Sequence, residues 1–407
     1  MIKKENITVP EISLEIEEFN KTPLEIKISA RNFFGKSYNS KVEIGSVVSQ
    51  GQVLGESEIE HIHSSIDGRV TYIDNDYFYI SSEEIVATNR PENPYDINKD
   101  KFSDYLAIIG LVGMGGSRFP ASFKFNASKN IDTIIINGAE CEPGVSIDKA
   151  LLVNQSEFIL KGINTLLEVS KATKVLIAIK DHPELYKKIK ELYPFDIFVL
   201  PAKYPVGAEK LILQKILKQK IPFGKFPFEY GFLIHNVTTM RSLGKSLIDK
   251  TPVIERPLTL SIPHKNFYKN ILVPVGISVS EIFDYFKIEF DSTSEKIIAG
   301  GMMMGNIASL DFNVHKGTTS IFVIPSKALK EHTRECINCG ACVDACPLDL
   351  HPIGMEKRIK RFRKHEDVSL TAHLTECFLC GACEYICPVR IPLVKKIKEG
   401  KACLKKK

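Results

Sequence analysis

Two copies of one cysteine pattern near the end of the chain constrain what it can fold into more than any other feature. Cys336, Cys339, Cys342 and Cys346, followed by Pro347, recur as Cys377, Cys380, Cys383 and Cys387, followed by Pro388. The spacing C-x2-C-x2-C-x3-C-P wraps three thiolates around an iron–sulfur cube, while the fourth thiolate must arrive from another direction. The fourth cysteine of each run therefore serves the other cluster. One four-iron cluster takes Cys336, Cys339, Cys342 and Cys387; the second takes Cys377, Cys380, Cys383 and Cys346. A zinc ribbon needs only C-x2-C pairs and leaves the third cysteines and the prolines unexplained. A disulfide framework suits a small secreted domain, not a chain of 407 residues. The 30 residues between Cys346 and Cys377, with a basic helical stretch over 355–365, predict a helical two-cluster domain. Cys403 lies outside both runs and reads as a free thiol.

With 44% hydrophobic residues, the chain can bury several cores. It shows neither an apolar segment of signal-peptide length nor the roughly 18 apolar residues of a membrane span, so a cytoplasmic location is expected. Positive charge is uneven: Lys357, Arg358, Lys360, Arg361, Arg363 and Lys364 crowd one segment, and seven lysines from Lys395 to Lys407 another. Such faces attract acidic redox partners or anionic lipid, which allows peripheral contact with the inner face of the cell membrane; solvated helix faces explain them equally well. Aromatic residues are not interleaved with these charges, which argues against nucleic acid.

Residues 1–90 read as short strands. Leu24–Ser29 alternates at period two, Lys41–Gly45 does the same, and Val48–Gly55 and 65–73 each pair a glycine turn with a β-branched run. His61 and His63 share a strand face but have no third metal ligand nearby. Pro91 and Pro94 mark a linker. A helix over Lys101–Ile109 then empties into a loop bearing Gly113, Gly115 and Gly116, where backbone N–H groups can converge on phosphate. The order is not that of the dinucleotide fingerprint. The unalternating run Ile131–Asn137 is a buried parallel strand that delivers Glu140, Cys141 and Glu142 at its carboxyl end, where α/β sheets place ligands. A helix near 149–170 and a second strand over Lys174–Ile179 follow. Residues 251–327 read as a small β-rich module with a helix over Val279–Phe286. Its Gly300-Gly301-Met-Met-Met-Gly305 turn marks tight packing rather than a ligand box.

Gly113-x-Gly115-Gly116 with Phe119-Pro120 and Lys124, then Asn137-Gly138-Ala-Glu140-Cys141-Glu142-Pro143, resemble the flavin site of the RnfC family of electron-transport proteins. More distantly, they are similar to the NADH-binding flavoprotein of respiratory complex I. The resemblance continues through Lys203–Lys210, His235-Asn236, Gly300–Gly305 and both cysteine runs. It implies a multidomain α/β and β architecture: a barrel-sandwich domain without a modified lysine over 1–90, a complex-I-flavoprotein-like α/β domain over 91–250, a soluble-ligand-binding β-grasp domain over 251–327, and the two-cluster ferredoxin domain over 328–407. Flavin mononucleotide (FMN) would be held by Gly113, Gly115 and Gly116, with Lys124 near its phosphate and Asn137 and Asn236 near its ribityl chain or ring. Glu140, Glu142 and Glu209 would line the face where nicotinamide stacks. The chemistry agrees, because a hydride carries two electrons and a cluster accepts one, so a flavin must stand between them. The resemblance implies an NADH-linked oxidoreductase passing electrons between NAD(H), FMN and the clusters. Its redox partner would be ferredoxin, other Rnf-type subunits or a soluble reductase. Two readings stay open beside it. One is an electron donor like the proline-reductase-associated protein PrdC or a cobalamin reductase. The other is a flavin-free iron–sulfur relay, because Arg118 stands where the family's loop carries glycine and would crowd the flavin ring.

Overall fold

A computed structural model describes residues 13–82, 101–128, 130–219, 221–222, 225–329, 335–362 and 371–404. The expected linker at 91–94, the basic residues Arg363 and Lys364, and Lys405–Lys407 lie outside them.

The central unit is a four-stranded parallel sheet in the order Asp196–Leu200, Lys174–Lys180, Thr133–Gly138, Phe232–Asn236. Ile134 and Ile136 enter one core and Ile135 the other, all at 0% exposure. Cover on both faces is why the run lacks alternation. The helix expected near 149–170 is two, Ile147–Asn154 and Ser156–Ser170, broken at Gln155. The second packs on Val237–Asp249 so closely that a Cβ on Gly244 would lie 1.7 Å from the Phe158 carbonyl oxygen, and one on Gly162 2.4 Å from that of Met240. Only hydrogen side chains permit that backbone approach.

Before this unit come two small sheets around one core of Ile26, Leu54, Val70, Phe78 and Ile80. One has the order Glu25–Ser29, Tyr77–Ser81, Gly68–Ile73, Val47–Val48; the other is Asn39–Ser40, Val53–Glu56, His61–His63. The strand expected over Lys41–Gly45 is a bend and turn instead, with Ile44 60% exposed. After the central unit comes a six-stranded mixed sheet in the order Ile16–Glu18, Phe267–Pro274, Glu255–Ile262, Ser320–Pro325, Glu295–Ala299, Asn306–Ala308. Val279–Phe286 covers it through Val279, Ile282 and Phe283. The chain's first described strand, Ile16–Glu18, thus pairs in parallel with Phe267–Pro274 and not within the N-terminal sheets.

Residues 335–362 and 371–404 hold five helices and, as described, no strand. Pro352–Phe362, Thr371–Glu376 and Leu393–Leu404 enclose a core of Leu350, Ile353, Leu374, Leu393 and Ile397. Cys403 is a free, half-buried thiol on the last of these helices.

Candidate flavin and iron–sulfur sites

The cysteines fall into the two sets that the spacing demands. Cys336, Cys339, Cys342 and Cys387 line one cavity of about 140 Å³. Cys346, Cys377, Cys380 and Cys383 line a second, tighter one of about 20 Å³. Each run thus lends its fourth sulfur to the other site. Among the described residues no three Cys, His, Asp or Glu side chains converge closely enough to hold a single metal ion. Two quartets of sulfur set apart around a space suit a cluster better than one zinc ion. The quartets differ in depth: Cys339 of the first is exposed, whereas Cys380 and Cys383 of the second are buried.

The large cavity, about 740 Å³, opens at the carboxyl end of the parallel sheet and contains every residue named above for the flavin and nicotinamide sites. Its floor is the loop between Val112 and Pro120, which pair as an isolated bridge. Gly113 N–H donates to Phe119 O and Arg118 N–H to Gly113 O, closing the loop. The N–H groups of Gly115, Gly116 and Ser117 have no partner among the described residues. A Cβ on Gly115 would lie 3.1 Å from that of Asn236, so glycine sets how deep the cavity is. Unpaired N–H groups on a Cβ-free loop fit a phosphate, and the volume lies within the usual range for a cofactor-sized ligand.

Asn137 and Asn236 are direct neighbours in register on adjacent parallel strands. Asn137 Nδ2 donates to Gly207 O at 2.8 Å. Asn236 caps its helix by accepting from Thr238 N–H and donates to Asp148 Oδ2 at 2.6 Å. Lys124 is already engaged: its ammonium donates to Glu209 Oε1 at 2.9 Å and to Ile234 O at 2.5 Å. Glu140 Oε2 is buried with no partner. Burial first, then the Asp148 carboxylate beside it, holds Glu140 well above the usual carboxylate range. Burial also raises Asp148, against the hydrogen bonds from Asn236 and Thr238. Burial pushes Glu142 up to about 7, opposed by the N–H groups of Met303 and Met304. Arg118 has φ +55°, a backbone conformation that favours glycine. Its Cγ packs on Gly317, where a Cβ would lie 2.5 Å away, and the side chain is not part of the cavity lining.

Several cavity residues were given no role of their own by the sequence. Asp148 is hidden because one carboxylate in a helix is unremarkable. Phe119 and Phe123 meet edge to face on one side of the mouth, and Phe226 stacks on Phe228 with centroids 5.2 Å apart on another. Tyr204 and Phe378 join the cavity to the second cysteine run: Phe378 lines it, and Tyr204 Oη donates to Cys380 O at 2.5 Å. The deep quartet therefore stands against the large cavity. His61 and His63 have no third Cys, His, Asp or Glu grouped with them among the described residues; burial and then the Lys316 cation hold His63 well below its usual range.

Residues 106–245 match the Nuo51 FMN-binding domain, and residues 335–391 the 4Fe-4S dicluster domain. The C subunit of the proton-translocating ferredoxin:NAD(+) oxidoreductase complex of Clostridium ljungdahlii is 30% identical over 81% of this chain and 77% of its own length. The chain belongs to the RnfC family. Within that family, the C subunit of the Na(+)-translocating ferredoxin:NAD(+) oxidoreductase complex of Acetobacterium woodii is 28% identical over 84% of this chain and 83% of its own length. The C subunit of the ion-translocating oxidoreductase complex of Rhodobacter capsulatus is 29% identical over 83% and 70%. The fold is also similar to a chain of an NAD+-reducing NiFe-hydrogenase, with a TM-score of 0.50 at 15% identity, covering 76% of this chain and 54% of that one. This RnfC relative is an electron-transfer protein with a flavin-binding domain and an iron–sulfur domain. Among the described residues no helix is long and apolar enough to cross a membrane.

Proposed function

We propose that this chain passes electrons between NAD(H), one FMN in the large cavity and two four-iron clusters, in series with a redox partner protein. The observation that carries the reading is the contact of the deep cysteine quartet with the cavity through Phe378 and Tyr204. A flavin bound there would supply the conversion between a hydride and single electrons. Gly115, Gly116 and Ser117 offer N–H groups to its phosphate, and Asn137 and Asn236 present polar edges at the strand ends. The Lys124–Glu209 pair braces the opposite wall, so the backbone nest rather than Lys124 meets the phosphate. The phenylalanines at the mouth give flat rings a surface on which to stack. Glu140 and Asp148, sharing a buried site, hold a proton beneath it.

The deep quartet at Cys346, Cys377, Cys380 and Cys383 would exchange electrons with the cavity, and the quartet containing exposed Cys339 with a partner. Rnf-type subunits on the inner face of the cell membrane are the partner class that membership of this family supports, and exposed Lys357, Arg358, Lys395 and Lys398 suit an acidic partner or anionic lipid. We assign the N-terminal double sheet as the barrel-sandwich domain and the mixed sheet as the β-grasp domain, dividing the chain at about 90, 250 and 327. Arg118 packs on Gly317 and does not itself line the cavity, which supports the flavin-bound reading over the flavin-free relay. An anaerobic visible spectrum of the reconstituted protein with NADH tests this: flavin and cluster absorbance should fall together. Clusters without flavin, unmoved by NADH, would refute it.

A further inference from the structure

We propose that residues 301–305 form a clamp that seats the deep cysteine quartet against the large cavity, with Glu142 as its positioning residue. The proposal rests on the functional reading above for its meaning, but not for its geometry. The loop turns between the antiparallel partners Ala299 and Asn306, closed by Gly305 N–H donating to Gly301 O at 2.7 Å. One residue, Met303, is held by its backbone from both sides. Its N–H donates to Glu142 Oε2 at 2.9 Å, and Met304 N–H adds a second bond to the same carboxylate. Its carbonyl oxygen lies against Gly381, where a Cβ would come within 2.6 Å. Gly301 is shaped by the same contact, since a Cβ there would lie 2.0 Å from Glu142 Cδ. Gly381 sits between Cys380 and Cys383, so the acidic turn of the cavity, the clamp and the deep quartet form one stack. Tyr204, donating to Cys380 O, is its second tie.

This arrangement gives a second task to a glycine- and methionine-rich turn that also lines the large cavity through Gly301, Met304 and Gly305. It also gives Glu142 a structural role beside its place in the cavity lining, since its carboxyl group accepts from the backbone N–H groups of Met303 and Met304. Electron transfer between cavity and quartet weakens as their separation grows, so a device that fixes the two has functional consequence.

The first cysteine run supplies an internal control. Gly340 matches Gly381 in the motif and in backbone, φ +77° against +81°, yet a Cβ on Gly340 meets nothing within 4 Å. Gly381→Ala and Gly340→Ala therefore carry the same backbone strain, and only the first pushes on Met303. In the cluster-loaded protein, hydrogen exchange at the Met303 and Met304 amides should accelerate at least about tenfold in Glu142→Ala, the scale of leaving a buried donor without its partner. Glu142→Gln, which keeps an acceptor oxygen, should restore most of the protection. On mixing with NADH, Gly381→Ala should slow cluster bleaching relative to flavin bleaching, and Gly340→Ala should not. Unchanged amide exchange in Glu142→Ala, or identical behaviour of the two glycine variants, overturns the clamp. If NADH bleaches nothing in the wild-type protein, the functional reading fails while amide exchange still decides the clamp.

Discussion

Cys346 belongs to the first cysteine run but lines the space enclosed by Cys377, Cys380 and Cys383, so its loss should empty the deep site and spare the exposed one. Cys346→Ser is expected to reduce bound iron from roughly eight to roughly four atoms per chain, four per cluster; iron analysis with electron paramagnetic resonance would show which signal survives. Cys387→Ser should remove the other signal. Loss of the same signal in both variants would break the exchange of fourth ligands. Glu142 makes a separate prediction in pH. Its folded value of about 7 lies above the ordinary 4.5, so the folded state keeps a proton that the unfolded chain releases. Its contribution to stability is therefore full below about 4.5, declines as pH rises toward 7, and is flat above. Glu142→Gln cannot titrate, so its melting temperature should fall less steeply than that of the wild type between pH 4.5 and 7. Equal slopes would mean that Glu142 does not titrate in this window.

Among the elements, the pair Ser156–Ser170 and Val237–Asp249 is the sternest test of packing, because its helices meet backbone to backbone. Gly244→Ala would place a methyl group 1.7 Å from Phe158 O, and neither helix can yield cheaply. A loss of about 1–3 kcal/mol in urea unfolding is expected. Flavin content should fall too, since Val237–Asp249 starts at Asn236, whose Cβ lies behind Gly115. This close approach was invisible in sequence, where Gly162 and Gly244 look like ordinary helix weakening. The buried strand at Thr133–Gly138 was legible because cover on both faces leaves an unbroken apolar run, and the helix Val279–Phe286 because its apolar stripe has helical spacing. The cysteine quartets were legible because cluster geometry fixes ligand spacing. Lys41–Gly45 misled because Ile44, in an alternating pattern, points to solvent. Parallel pairing of Ile16–Glu18 with Phe267–Pro274 spans some 250 residues, as the register places Ile16 opposite Asn270, and nothing local encodes it. The cavity followed the same rule: its glycine loop and acidic turn were visible as motifs, whereas Asp148, Tyr204 and Phe378 are brought in by tertiary structure.

At the scale of the whole molecule, three modules meet at one buried lysine. Lys316, 8% exposed and following the mixed sheet's helix and hairpin, donates to Gly110 O at 2.6 Å beneath the glycine loop. It also lies 3.6 Å from Glu60 Oε1 of the N-terminal sheets, and Glu60 is 3% exposed. Burial lowers the lysine below its usual range and Glu60 raises it back in part, so the pair is held by mutual need rather than by net attraction. Removing one partner leaves the other charge buried, which costs about 3–5 kcal/mol, whereas replacing both is often neutral. Lys316→Met should therefore destabilise the protein by about that amount at neutral pH, and adding Glu60→Gln should recover most of it. Junction and cavity share the loop that follows Gly110, so Lys316→Met should also release flavin, and the double variant should regain it. If the single variant unfolds no earlier than the wild type, the modules are joined by their apolar contacts alone.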